Sequence, residues 1–231
     1  MASIAFWNCR AKKSQASLYL REFVKEFDAF IVGLLETKIS SIDRKGVHKL
    51  IGMDWDFDYV LADGLSGGIL ILWNSKVSSF NVLESFSQGI IGDLDVFNKG
   101  VWRISNVYGS NDIVKRRELW RKVEQLSSKD LPSVAGGDFN CLLDSGDKRG
   151  GREFSFSQGS KEMKSFLINN DFHDVGFIGP RITWCNNKTN GARILKRLDR
   201  CFLNSKAIEV ISMGGGKASC KGGLRPLPYF S

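Results

Sequence analysis

Several apolar runs in this chain stop at a residue able to bind a metal ion or a phosphate. The run IAFW stops at Asn8, IVGLL at Glu36, ISNV at Tyr108 and SVAGG at Asp138, with Asn140 following; a later segment, KRLDR, delivers Asp199. In GGDFN, strand alternation sends Asp138 and Asn140 to one face and Phe139 to the other, so two polar groups share a site while the ring packs inward. Gly136 and Gly137, just before, would let another backbone or a ligand approach closely.

The elements that must position these residues follow from the hydrophobic pattern. Short runs rich in Ile, Val, Leu and Phe (SIAFW, FIVGLL, GGILILW, VWRISNVY, PSVAGG and RITW, with DYVLA and RCFL) predict strands. Helical spacing predicts helices over 17–27, 114–126 and 159–169. Many strands with a few inserted helices and frequent glycine turns imply an α+β layered sandwich with helices on its outer faces. Residues 213–223, MGGGKASCKGG, read as a flexible loop.

With 231 residues, 42% of them hydrophobic, the chain is expected to form one domain around one substantial core. Its formal net charge of +8 points to a polyanionic partner, nucleic acid or an acidic membrane face. The five cysteines, Cys9, Cys141, Cys185, Cys201 and Cys220, are scattered singly, without zinc-site spacing, and read as reduced thiols. The opening MASIAFWNCR lacks the pattern of a secretory signal, and no apolar run is long enough to span a bilayer. A soluble intracellular protein is expected, with nucleus and cytoplasm left open.

WNCR, LLETK, NVYGSN, GGDFN, the TW of Thr183 and Trp184, and RLDR occur in fixed order, reinforced by SGGILILWN and GDKRGGR. Together they resemble the endonuclease/exonuclease/phosphatase family, and most closely the abasic-endonuclease-like domain at the head of plant non-LTR (LINE-type) retrotransposon polyproteins. The resemblance spans nearly the whole chain. It implies a four-layer α/β/β/α sandwich, two mainly antiparallel sheets with outer helices, and a site where strand ends converge. It also implies hydrolysis of a phosphodiester with one hard divalent cation, magnesium or alternatively manganese, and an activated water attacking in line. Carried over motif by motif, Glu36 would be the main metal ligand, with Asn8 supporting it. Tyr108 would hydrogen-bond a phosphate oxygen, Asp138 and Asn140 would position water and phosphate, and Asp199 would orient a histidine. DNA is the implied partner of a monomer, with neither a membrane nor an organic cofactor.

That histidine belongs to a Ser-Asp-His motif some way after RLDR in the family. Here the two histidines, His48 and His173, both precede Asp199 in unlike segments. The expectation is a domain over 1–231 that is incomplete at its C-terminus, cut before Ser-Asp-His and lacking its last strand. Two alternatives follow: a non-catalytic remnant that binds nucleic acid or metal, and a phosphodiesterase of the same fold acting on inositol phosphates or sphingomyelin.

Simpler readings compete at single positions. Glu36 alone reads as a solvated carboxylate, Asn8 and Asn140 as turn or cap residues, Tyr108 as a core tyrosine, and Asp199, between Arg197 and Arg200, as a surface ion pair. Lys115, Arg116, Arg117, Arg121 and Lys122 read as the polar face of a helix. Lys148, Arg149 and Arg152, in a glycine-rich loop soon after Asp138, read as DNA contacts. Trp184 either stacks in the core or lines the nucleic-acid edge.

Overall fold

The computed structural model describes residues 3–9, 13–63, 66–178, 181–213 and 220–222. The first half runs β1 (Ser3–Asn8), α1 (Lys13–Phe27), β2 (Ala29–Leu35), α2 (Arg44–Leu50), β3 (Trp55–Asp63), β4 (Ser66–Asn74), β5 (Ser78–Phe86), β6 (Gly89–Val96) and β7 (Gly100–Tyr108). The second runs α3 (Ile113–Leu126), β8 (Ser133–Asp138), β9 (Lys148–Arg149), α4 (Gln158–Asn169), β10 (Phe172–Asp174), β11 (Phe177–Ile178), β12 (Trp184–Cys185), β13 (Leu195–Lys196), β14 (Asp199–Asn204), α5 (Ser205–Met213) and β15 (Cys220–Gly222).

Two six-stranded sheets form, in the orders β11-β15-β1-β2-β4-β3 and β10-β14-β8-β7-β6-β5, beside a small three-stranded sheet β12-β13-β9. Both large sheets are mixed. In the first, β1 and β2 run parallel, joined through α1, and in the second β7 and β8 run parallel, joined through α3. A parallel pair needs such a crossover, and the helix it carries covers the outer face of its sheet. Thus α1 and α2 bury Leu20, Val47 and Ile51 against Val32, Leu34, Leu70 and Leu72. On the far side α3 and α4 bury Leu119, Trp120, Met163 and Phe166 against Ile91, Ala135 and Phe202. Between the sheets lie Phe6, Ile31, Leu35, Ile69, Ile90, Ile104 and Val134, with Ala207 of α5. The result is the layered sandwich with outer helices that the pattern of elements predicts, in the α/β/β/α order that the family resemblance implies.

The differences from the sequence reading have local causes. No strand is expected at β5 and β6, yet both are full-length; β5 alternates buried Ser78 and Phe80 with exposed residues, and β6, though almost wholly buried, has its apolar run broken by Gly92, Asp93 and Asp95. Of RITW, only Trp184 enters a strand, because β12 pairs only through Trp184 and Cys185. Within the predicted flexible loop over 213–223, Met213 closes α5 and Cys220–Gly222 pair in parallel with both β1 and β11, while 214–219 and 223 lie outside the described residues. So do 224–231, where the absent motif is expected to begin. Reduced thiols are found at Cys9, Cys141 and Cys185, but Cys201, buried on β14, is disulfide-bonded. That correction is one that Cys spacing cannot anticipate, since tertiary pairing decides which Cβ atoms meet.

Candidate active site

The two parallel crossovers set the site. In register, Asn8 at the end of β1 stands beside Leu35 at the end of β2, which places Glu36 immediately beyond. In the facing sheet, Tyr108 at the end of β7 stands beside Asp138 at the end of β8, and Asp199 at the start of β14 lies directly across from Asp138 on the other side. Strand ends of one sense therefore meet from both sheets on one rim, the usual place for ligands in parallel arrangements.

Glycine brings the two rims together. A Cβ on Gly136 would lie 2.2 Å from the Phe6 ring of the facing sheet, so the small residue admits a ring from across the interior. Of the close approaches predicted at GG, the one at Gly136 is made by this core side chain, while at Gly137, at φ +131°, it is made by backbone: a Cβ there would lie 2.1 Å from Val107 O. Gly33 likewise leaves room for Asn106, whose Oδ1 would lie 2.4 Å from a Cβ there; Asn106 is fully buried with neither amide atom hydrogen-bonded. Once the sheets are this close, Asn8 Nδ2 donates to Glu36 Oε1 at 3.2 Å and to Asp138 Oδ2 at 3.3 Å, tying a carboxylate of each sheet to one amide. Asn8 Oδ1 is buried and has no hydrogen-bond partner.

Backbone geometry beyond the strands is unusual where the polar residues sit. Glu36 adopts φ +52° and Asn140 φ +46°, a left-handed conformation that costs a non-glycine residue free energy and concentrates at functional sites. Asn140 is held there from three directions: its N–H donates to Asp138 Oδ1 at 2.9 Å, its Nδ2 to Gly109 O at 2.8 Å, and its carbonyl accepts from Arg116 Nη1 at 3.0 Å. Asp138 and Asn140 do share a site, but through this turn after the strand rather than by continued alternation. Phe139 packs between Trp120 and Phe202 as an inward ring.

Glu36, Tyr108, Asp138, Asn140, Lys148 and Trp184 line one cleft of about 570 Å³. Asp199 is half-buried beside it, its backbone N–H bonded to Thr183 Oγ1 at 3.1 Å. Arg149 and Arg152 are exposed on the loop and do not line the cleft. His48 on α2 and His173 on β10 do not line it either; His173 Nε2 bonds Asp171 and Ser205. Beside the site, burial first and the nearby Glu36 charge after it push the Cys9 thiol up to about 12.

Arg116 departs from the polar-face reading of α3. It is 3% exposed, lines the cleft, and donates to Ser110 O at 2.6 Å as well as to Asn140 O. Its signal in the sequence is its spacing: Arg116 shares a helical face with the buried Leu119, Trp120 and Val123, while Lys115 and Arg117 are exposed. The GDKRGGR and RLDR motifs also turn out to meet: Asp147 and Arg200, both almost fully buried, form an ion pair. Arg200 and Arg197 further pair with Asp174 at 2.7 and 2.9 Å, and Asp147 Oδ2 accepts from Leu143 N at 2.7 Å. This network anchors the loop that carries Lys148.

Two carboxylates, an amide and a phenol in one cleft are hard oxygen donors suited to a magnesium-like cation, and the orphaned Asn8 Oδ1 adds another beside both carboxylates. Among the described residues no three His, Cys, Asp or Glu side chains cluster closely enough to cage an ion. Magnesium fits such a sparse set, because it keeps several waters and takes only one or two protein carboxylates.

A family model described as Endonuclease/Exonuclease/phosphatase family matches residues 5–219. Among solved structures, an AP endonuclease from Leishmania major is 15% identical with a TM-score of 0.65, covering 88% of this chain and 79% of that one. An AP endonuclease from Archaeoglobus fulgidus is 14% identical with a TM-score of 0.65, covering 90% and 89%. TDP2 from D. rerio, complexed with single-strand DNA product, is 19% identical with a TM-score of 0.56, covering 88% and 84%. At such identities the likeness is one of fold. No curated protein sequence matches the chain. No helix among the described residues is long and apolar enough to cross a membrane.

Proposed function

The chain belongs to the endonuclease/exonuclease/phosphatase family, and from that premise we propose that it is a DNA-nicking phosphodiesterase of retrotransposon type, dependent on magnesium or manganese. The observation that carries this reading is Asn8 bridging Glu36 and Asp138, which holds carboxylates from two sheets at one point of a basic-walled cleft. Glu36, with Asn8, would hold the cation, which when bound neutralises phosphate charge and acidifies water. Asp138 Oδ1 already accepts the Asn140 N–H, so its carboxylate is fixed in orientation, as a group that must align an attacking water requires. Tyr108, which lines the cleft, would donate its hydroxyl to a phosphate oxygen, and Asn140, clamped by Gly109 and Arg116, would hold a second polar contact. Asp199, across from Asp138, adds negative charge that favours a cationic or protonated partner beside it. The order and wording of GGDFN, GDKRGG and RLDR support DNA over inositol phosphate or sphingomyelin.

A second reading has its own support: no histidine lines the cleft among the described residues, and an imidazole is the usual acid or base in such chemistry. On that reading the chain binds nucleic acid or metal without turnover. Supercoiled plasmid incubated with magnesium, beside Glu36→Gln, decides between them. Metal-dependent nicking absent in E36Q supports the nuclease. Salt-sensitive DNA binding without nicking, unchanged by added metal, sinks it in favour of the binding module.

A further inference from the structure

The small sheet β12-β13-β9 forms a cleft wall with its own charge pattern. Trp184 is directly opposite Lys196, and Lys196 directly opposite Lys148, so the three side chains stand in one row on one face. All three line the same cleft as Asp138 and Glu36. Arg149, next along β9, alternates to the other face. Two lysines in direct cross-strand register repel, a cost to the sheet that an anion bound between them would offset. Among the described residues neither ammonium has a carboxylate partner: Lys196 Nζ lies 5.0 Å from the Trp184 ring centroid, and Lys148 Nζ donates to Arg152 O. Both are half-buried, which raises the cost of the unpaired charges. Glu153, exposed on the same rim, forms no ion pair with either.

Building on the proposed phosphodiesterase reading, we infer that Lys148 and Lys196 bind a second phosphate of the substrate, one linkage or more away from the bond at Asp138. Trp184 holds Lys196 in place by cation–π attraction, which fixes a long flexible side chain before the ligand arrives. The substrate class follows: a chain with several phosphodiesters, not an ester with a single phosphate. The buried Asp147–Arg200 pair is what keeps the β9 loop against β13, since the Arg197 N–H also donates to Asp147 O at 2.8 Å.

The test is binding of a fluorescent single-stranded oligonucleotide to the full chain in EDTA, over a range of salt. On single strands each neutralised phosphate contributes about 0.7 to the slope of log affinity against log salt, so K148Q/K196Q, which frees one phosphate, lowers the slope by about 0.7. In competition, a dinucleotide with one linkage displaces the probe equally from both proteins, whereas a longer oligonucleotide is weaker on the variant. An unchanged slope, or a dinucleotide weakened as much as the longer chain, overturns the inference. K196M, which keeps the stem packed on Trp184, replaces the double variant should that one misfold. On the wild-type chain, DNA shields Lys148 and Lys196 from acetylation and leaves Lys206 reactive; equal reactivity of all three overturns the inference too. Because no metal is present, loss of nicking activity leaves this result standing, while nicking with an unchanged slope refutes only the phosphate subsite.

Discussion

Replacing Gly136 with alanine tests whether the site depends on how closely the two sheets approach. The added methyl would sit 2.2 Å from both Cδ2 and Cε2 of Phe6, so the ring must retreat by roughly 1 Å or more to reach ordinary contact. Phe6 is 6% exposed and packed within the inter-sheet core, so it has little room to move. Overpacking of this kind costs about 1–3 kcal/mol, a large share of the roughly 5–15 kcal/mol that holds a domain folded. Gly136 does not occupy the left-handed region, so the penalty is steric and not one of backbone strain. Phe6→Ala alone costs about 3–5 kcal/mol through the cavity it opens. In the double variant the new methyl faces that vacated space, so the combined loss falls short of the sum by at least about 1 kcal/mol. Urea unfolding of the four proteins, followed by tryptophan fluorescence, measures the cycle. Additivity within about 0.5 kcal/mol refutes the claim that Gly136 exists to admit Phe6. Because Phe6 lies two residues before Asn8 on β1, G136A is also expected to loosen the bridge from Asn8 to Asp138 and to weaken manganese binding, read by titration calorimetry.

Three further outcomes are expected. Arg200→Met leaves Asp147 buried without its guanidinium and costs about 3–5 kcal/mol, whereas D147N/R200M recovers part of that loss in the urea midpoint; equal instability of both refutes a coupled pair. Arg116→Lys does not rescue Arg116→Leu in DNA binding or stability, because Ser110 O and Asn140 O are both met by Nη1 at the tip of a rigid planar guanidinium, which the shorter and freely rotating lysine does not reproduce, and full rescue refutes that role. The Cys9 thiol titrates near 12 in the fold against an ordinary 9.0, so its contribution to stability is complete below about pH 9 and is lost as pH rises toward 12; Cys9→Ala flattens that part of the alkaline melting curve, and an unflattened curve refutes the assignment.

The sequence by itself determined a layered α+β sandwich with outer helices, the helices near α1, α3 and α4, and the placing of Asn8, Glu36, Tyr108 and Asp138 where apolar runs stop. Those features are written in short-range periodicity and in which residue interrupts an apolar run, and both survive without knowledge of neighbours. Strand β5 escaped because one exposed face dilutes its apolar signal, and β6 because Gly92, Asp93 and Asp95 interrupt its apolar residues. The tertiary structure alone decided that Gly136 faces Phe6 and that one amide joins carboxylates 102 positions apart in the chain. It also decided that Asp147 meets Arg200 and that Lys148, Lys196 and Trp184 align. Each of these is a cross-strand or cross-sheet contact, fixed by register and inter-sheet packing, and register is a property of the assembled sheets that no local window of the chain encodes.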